Sequence, residues 1–211
     1  MRFLREFKGL AASGGVVTGK VRRIDRGISG LGRLVQDSGR ERALFDAAVV
    51  LAKDEIRELM ERAEGDEKDI LLFQLVMLDD EALIDEVGDY IAAGAGSAAA
   101  TERAGQIFAR RIRDIPDEYI RQRGVDVMDA CRRVVDILDG RPRQSLVLEE
   151  PAILAAEQVF PSDIISVDHG MVLGIATSAG SAQSHAAIVA RTLGIPAVIQ
   201  LGPEFLACCD G

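Results

Sequence analysis

Between Ser38 and Leu138 the apolar residues recur at intervals of three and four, whereas before and after that stretch short strand-like runs return. A block with this period consists of helices whose stripes must bury one another. The strand-like pieces at either end cannot complete a sheet separately, so the first ~25 residues are expected to fold against the last ~65. This change of period predicts an α+β / α/β chain in which an all-helical, four-helix-type domain interrupts a smaller α/β domain. The expected boundaries are 1–30 with 143–211 for the α/β part and 36–140 for the helical part.

Within the helical block, Ser38-Gly39-Arg40-Glu41 fits a capping box. Leu44, Phe45, Ala48, Ala52, Ile56, Leu59, Met60 and Ala63 then form one long stripe, broken at Gly65-Asp66. A second stretch carries Ile70, Leu71, Leu75 and Leu78, and a third, starting near Asp80, carries Leu83, Ile84, Val87 and Ile91. Beyond Gly94-Ala95-Gly96 the period runs through Ala100, Ala104, Ile107 and Phe108 to Pro116. Asp117 and Glu118 suit the next helix start, and Val127, Cys131, Val134 and Leu138 make the last stripe. These are read as about four long segments, with Cys131 a buried structural thiol.

The flanks carry the chemistry. Residues 6–24 read as two short strands around Ser13-Gly14-Gly15, and Gly27, Gly30 and Gly32 mark a crossing between domains. Downstream, Ile153–Ala156 reads as a strand, Pro161-Ser162-Asp163 as a helix cap and Asp168-His169-Gly170 as a turn with an exposed histidine. An apolar strand, Val172 to Thr177, then enters a loop of small residues, and His185 stands where a helix should begin. That helix ends at Gly194, before Pro196. An imidazole among the unpaired N–H groups of a helix start sits where anions are favoured, and it can accept a phosphoryl group as a nucleophile. The same pattern also describes an ordinary strand–turn–helix unit whose histidine only caps the helix. Arg191, six residues on, points away from His185 around the axis and reads as structural.

Composition closes several function classes. Apolar content of 48% with 28% charged residues belongs to a globular chain rather than a disordered one. No apolar run approaches the ~20 residues that cross a bilayer, and residues 1–8 lack the apolar core of a signal peptide. A net charge of −9 argues against nucleic acid and suits a basic protein partner or simple solubility. Three cysteines, two of them neighbours, read as a reduced, cytoplasmic chain.

The stretch around His185 resembles the phosphohistidine signature of the phosphoenolpyruvate-utilising enzymes: Gly-Gly-x-Thr-Ser-His, two small residues, two aliphatics, Ala and Arg. Gly180, Ser184, His185, Ala186, Ala187, Ile188, Val189, Ala190 and Arg191 fit, as do Gly194 to Val198 in the continuation. Ser181, Ala182 and Gln183 depart from it. Gly9 to Lys20 is similar to the opening of enzyme I of the bacterial sugar phosphotransferase system, with Gly14 in place of a proline. Met77 to Leu83, Asp117 to Ile120 with Asp126, Val127 and Asp129, and Phe160 to Asp163 resemble its later segments in the same order.

The resemblance implies a swivelling phosphohistidine domain interrupted by a helical domain that docks the phosphocarrier HPr. It implies a cytoplasmic phosphoenolpyruvate–protein phosphotransferase in which His185 is the catalytic nucleophile. Gly180, Gln183 and Ser184 would form the supporting loop. HPr would dock on Met77, Leu78, Asp79, Asp80, Glu81 and Leu83. The relatives continue with more strand and a phosphoenolpyruvate-binding barrel, so the sequence reads as an N-terminal fragment of an enzyme that is homodimeric at full length. Mg²⁺ belongs to that full-length enzyme, and no metal or other cofactor is expected in this chain. Two rivals stand beside this reading: the swivelling domain of a pyruvate-phosphate dikinase or phosphoenolpyruvate synthase, and a non-catalytic docking module with a degenerate histidine loop. The helical insertion and the Gly9–Lys20 opening count against the first.

Overall fold

The computed structural model describes residues 5–24, 37–117, 120–121, 123–140, 148–181 and 185–209, with Pro161, His185 and Ala186 described by backbone alone. The chain divides into two compact units, Met1–Arg26 with Ser145–Gly211, and Gly27–Gln144.

The first unit is an α/β structure on one five-stranded sheet, ordered β1-β5-β4-β3-β2. Its strands are β1 (Leu10–Ser13), β2 (Lys20–Arg23), β3 (Ala152–Ala156), β4 (Val172–Thr177) and β5 (Ala197–Ile199). β1 runs antiparallel to β5, and the other neighbours are parallel. The two amino-terminal strands therefore do not pair with each other. They occupy opposite edges, because the parallel strands built from the carboxyl-terminal residues take the centre. Central strands are covered on both faces, which is why β3 and β4 read as continuous apolar runs rather than alternating ones. Leu154, Ile164, Ile175, Ala187, Ala190 and Ile199 belong to one buried core.

Between β3 and β4 lies α6 (Pro161–Ile165), whose first residue is a proline with no N–H to leave unpaired. The Asp163 carboxylate accepts from the Phe160 N–H at 2.7 Å, closing this first turn. His169 opens a 3₁₀ turn and is half-buried, not exposed as its turn sequence suggests. Its Nε2 lies 3.1 Å from the Ile164 carbonyl, which draws the ring inward.

The second unit is helical. Among the described residues it holds α1 (Ser38–Arg62), α2 (Asp66–Leu78), α3 (Glu81–Ala92), α4 (Ser97–Arg113) and α5 (Gly124–Leu138). That is one more helix than the expected four segments, because the two-residue break Asp79-Asp80 ends one helix and starts another. Phe45, Ala48, Ala52 and Ile56 are the buried face of α1, and Leu83, Val87 and Ile91 that of α3. The helix start expected at Ser38 falls one residue earlier. Asp37 caps α1 by accepting from the Arg40 N–H at 2.9 Å. Glu41 does not turn back to complete a box.

The interior of this unit is more polar than its stripes imply. Gln74, Asp126, Asp129 and Arg133 are all buried. Gln74 Nε2 donates to Asp129 Oδ2 at 3.0 Å, Arg123 Nη1 lies 3.3 Å from Asp126 Oδ2, and Arg133 Nη1 lies 2.7 Å from Glu55 Oε2. Burial pushes the Asp126 carboxyl up to about 7; Arg123 opposes that shift and Asp129 adds to it. Burial likewise pushes the Cys131 thiol up to about 12, which leaves it an inert packing group against Gly105.

Candidate functional site

Strand β4 ends at Thr177, and the chain passes through Ser178, Ala179 and Gly180 before α7 (His185–Thr192). The carboxyl ends of parallel strands are where α/β folds of this kind bind ligands, because loop residues and helix starts converge there. His185 is the first residue of α7, as its sequence position predicts. Gly180 sits at φ +113°, a conformation that other residues rarely adopt, and it turns the chain away from the sheet. Gln183 and Ser184 lie outside the described residues.

Both ends of α7 are set by local chemistry. Its small residues Ala187 and Ala190 are buried, and the helix packs against β1 and β5. At its carboxyl end Gly194 adopts φ +67°; the Ile195 N–H bonds the Ala190 carbonyl and the Gly194 N–H bonds the Arg191 carbonyl. This is a Schellman closure, and Pro196 follows it. Arg191 donates from Nη1 to the Ala12 carbonyl at 3.4 Å, which ties α7 to β1 and agrees with a structural role.

The loop leaving β4 is braced on both sides. The Ser178 and Ala179 N–H groups bond the Ala156 and Glu157 carbonyls, extending the β3 ladder. From the β5 side, the Leu201 and Gly202 N–H groups bond the Thr177 and Ser178 carbonyls. The Thr177 hydroxyl donates to the Ala179 carbonyl at 2.5 Å. A small apolar pocket opens beside this loop, lined by Gln158, Val159, Thr177, Gly180 and Ala187 among others. Sequence reasoning did not pick out Thr177 or Gln158. Threonine at the end of an apolar strand was the only available signal.

The residues expected to dock a partner fall in different places. Met77, Leu78 and Leu83 are 7%, 3% and 3% exposed and belong to the helical core. Asp80 is the N-cap of α3, accepting from the Ala82 and Leu83 N–H groups. Asp79 and Glu81 are exposed, and Asp79 is paired with Lys53. The stretch Met77–Leu83 is therefore a helix junction whose apolar members point inward, which corrects its reading as an open apolar-acidic surface. The exposed apolar residues of α2 are Leu72 and Val76, at 51% and 58%. Asp69, Leu72, Val76 and Asp79 are spaced three, four and three apart, along one side of the helix.

No helix among the described residues is long and apolar enough to cross a membrane. None of those residues forms a group of three or more His, Cys, Asp or Glu able to hold a metal ion.

Comparison with known proteins accounts for both units. Residues 8–123 match the model of the PEP-utilising enzyme N-terminal domain, and residues 148–205 that of the PEP-utilising enzyme mobile domain. The chain is 31% identical over 204 residues to the phosphoenolpyruvate-protein phosphotransferase of Bacillus subtilis, covering 93% of this chain and 36% of that protein. It is 33% identical to the enzyme of the same name from Geobacillus stearothermophilus, covering 90% and 34%. The chain thus spans about a third of the length of these relatives. A solution structure of Enzyme I superimposes with a TM-score of 0.72 at 29% identity, covering 94% of this chain and 84% of that one. The N-terminal domain of a nitrogen Enzyme 1 shares the fold, with a TM-score of 0.60 at 23% identity.

Proposed function

For a chain that belongs to the PEP-utilising enzymes, with the two-unit fold of the enzyme I N-terminal domain, we propose that it is the phosphoryl-relay portion of a phosphoenolpyruvate–protein phosphotransferase. His185 accepts a phosphoryl group and passes it to a histidine of HPr. The observation that carries this reading is the position of His185 as the first residue of α7, directly after a glycine-turned loop at the carboxyl end of a central parallel strand.

In the first step a neutral His185 ring nitrogen, Nε2 by the resemblance, forms a P–N bond as the P–O bond of phosphoenolpyruvate breaks and enolpyruvate leaves. In the second, the His185 P–N bond breaks as a new one forms on HPr. An imidazole has an appreciable neutral fraction near neutral pH, so it serves as nucleophile and leaving group alike. The phosphoryl oxygens gain negative charge beside the unpaired N–H groups of a helix start, which favour it. Small residues at Ala179 and Gly180 leave room for a second protein's histidine to approach.

The helical unit is the docking domain for HPr in this reading. Leu72 and Val76 supply the apolar centre, and Asp69, Asp79 and Glu81 steer a basic carrier face. Phosphoenolpyruvate and Mg²⁺ belong to a further domain of the full-length enzyme, a homodimer in the cytoplasm. The donor set described for this chain does not fit a Mg²⁺ site, so no step runs through the metal here.

The test is phosphoryl transfer from phosphorylated HPr. Acid-labile, base-stable label should appear on the wild-type chain and on His169→Ala, and not on His185→Ala. Label persisting on His185→Ala would sink the assignment, and a wild-type chain that binds HPr without labelling would favour the docking-module rival.

A further inference from the structure

Gln200, the residue after β5, has φ +61°, and it is the only non-glycine with a positive φ among the described residues. This left-handed conformation is strained for a glutamine, and residues held in it are over-determined by their surroundings. Here the surroundings are the loop that leaves β4. With Gln200 turned this way, the following Leu201 and Gly202 N–H groups still reach the Thr177 and Ser178 carbonyls, at 3.0 and 3.1 Å. Its own side chain extends the same row, Nε2 donating to the Gly180 carbonyl at 3.1 Å. The side-chain amide thus supplies a further rung where the backbone of β5 has already turned away. Gly180 is the point at which φ +113° redirects the chain, five residues before His185.

We propose that Gln200 is a positioning residue for phosphoryl transfer: its strained backbone and side-chain amide together hold the Gly180 turn that aims the loop toward His185. The proposal rests on His185 being the phosphoryl acceptor. A glutamine retained only for packing would not need a left-handed backbone, and its exposed side chain buries nothing. What it does provide is an N–H donor at a fixed place beside the turn. A preorganised loop matters because reacting groups misplaced by about 1 Å lose on the order of a hundredfold in rate.

Two variants of the same chain test this. Gln200→Gly removes the strain and the donor; Gln200→Glu keeps the backbone and the length but presents an acceptor to the Gly180 carbonyl. Gln200→Gly should melt at the wild-type temperature or above, since glycine adopts φ +61° freely. Both variants should nonetheless lose about tenfold in the maximal rate of labelling by phosphorylated HPr, with the half-saturating HPr concentration unchanged. Amide hydrogen exchange at Gly180 and Ser181 should quicken in Gln200→Glu while exchange within β4 stays protected. Wild-type rates in both variants, or unaltered exchange at Gly180 and Ser181, would overturn the proposal. Should the wild-type chain itself take no label, the acceptor assignment fails, and the exchange measurement still decides whether Gln200 holds the turn.

Discussion

The Glu41 carboxylate accepts both the backbone N–H and the hydroxyl of Ser97, each at 2.7 Å. It thereby joins the first turn of α1 to the first turn of α4. The residue before α4, Gly96, offers no side-chain cap, so Glu41 satisfies from a distance a donor that a local cap ordinarily meets.

Glu41→Ala should therefore destabilise the helical unit by about 0.5–2 kcal/mol, the range for loss of an N-cap. Ser97→Ala, which keeps the backbone donor, should cost less. Urea unfolding followed by helical circular dichroism distinguishes them, and equal stability of Glu41→Ala and wild type would show that the contact contributes nothing.

The buried Asp126 sets a pH dependence whose sign follows from its pKa. The carboxyl titrates near 7 in the folded chain against 3.8 when unfolded, so the folded state holds the proton more tightly. This group's contribution to stability is greatest at low pH. It is lost progressively between about pH 4 and pH 7, because there the unfolded chain releases a proton that the folded one retains. Asp126→Asn should remove that slope, gaining on the wild type by up to a few kcal/mol as pH rises from 4 to 8. A wild-type-to-variant difference that stays constant across this range would contradict the assignment.

Gly180→Ala tests the turn itself. A Cβ there meets nothing closer than the Thr177 hydroxyl at 3.6 Å, so space is available and only φ +113° is unfavourable. A strain of about 1–3 kcal/mol is expected, relieved by movement of the loop. The variant should fold with a modestly lowered melting temperature and lose labelling at His185 by at least tenfold. Unchanged labelling would mean that the turn does not position the acceptor.

On the helical unit, Val76→Ser should leave stability within about 0.5 kcal/mol, since the side chain is exposed. It should weaken HPr binding measured by calorimetry. Charge reversal at Asp69 and Glu81 should slow association and flatten its salt dependence. HPr binding unaffected by all three changes would place the interface on other helices.

How much of this was legible beforehand depends on whether a feature is local. The α7 start at His185, its close at Gly194 and the helical stripes follow from side-chain spacing and turn chemistry within a few residues, and the structure has them there. Met77, Leu78 and Leu83 show the boundary. Their sequence neighbourhood of acids and apolar residues reads equally as a docking surface or a helix junction, and burial makes it the junction. Glu41 shows the same limit: it stands at the right spacing for a local cap but serves a residue 56 positions away.

The sequence by itself determined the order of strands and helices, the division of chemistry between a helical block and its flanks, and the histidine on which the function turns. These depend on periodicity and on the fixed preferences of Gly, Pro and Asp for particular backbone angles. Only the tertiary structure decided that β1 and β2 lie at opposite edges of one sheet and that Gln74, Asp126 and Asp129 meet inside the helices. It alone placed Gln200 beside Gly180. Strand pairing and buried polar contacts join residues far apart in the chain, and their partners exist only once the backbone has closed around them.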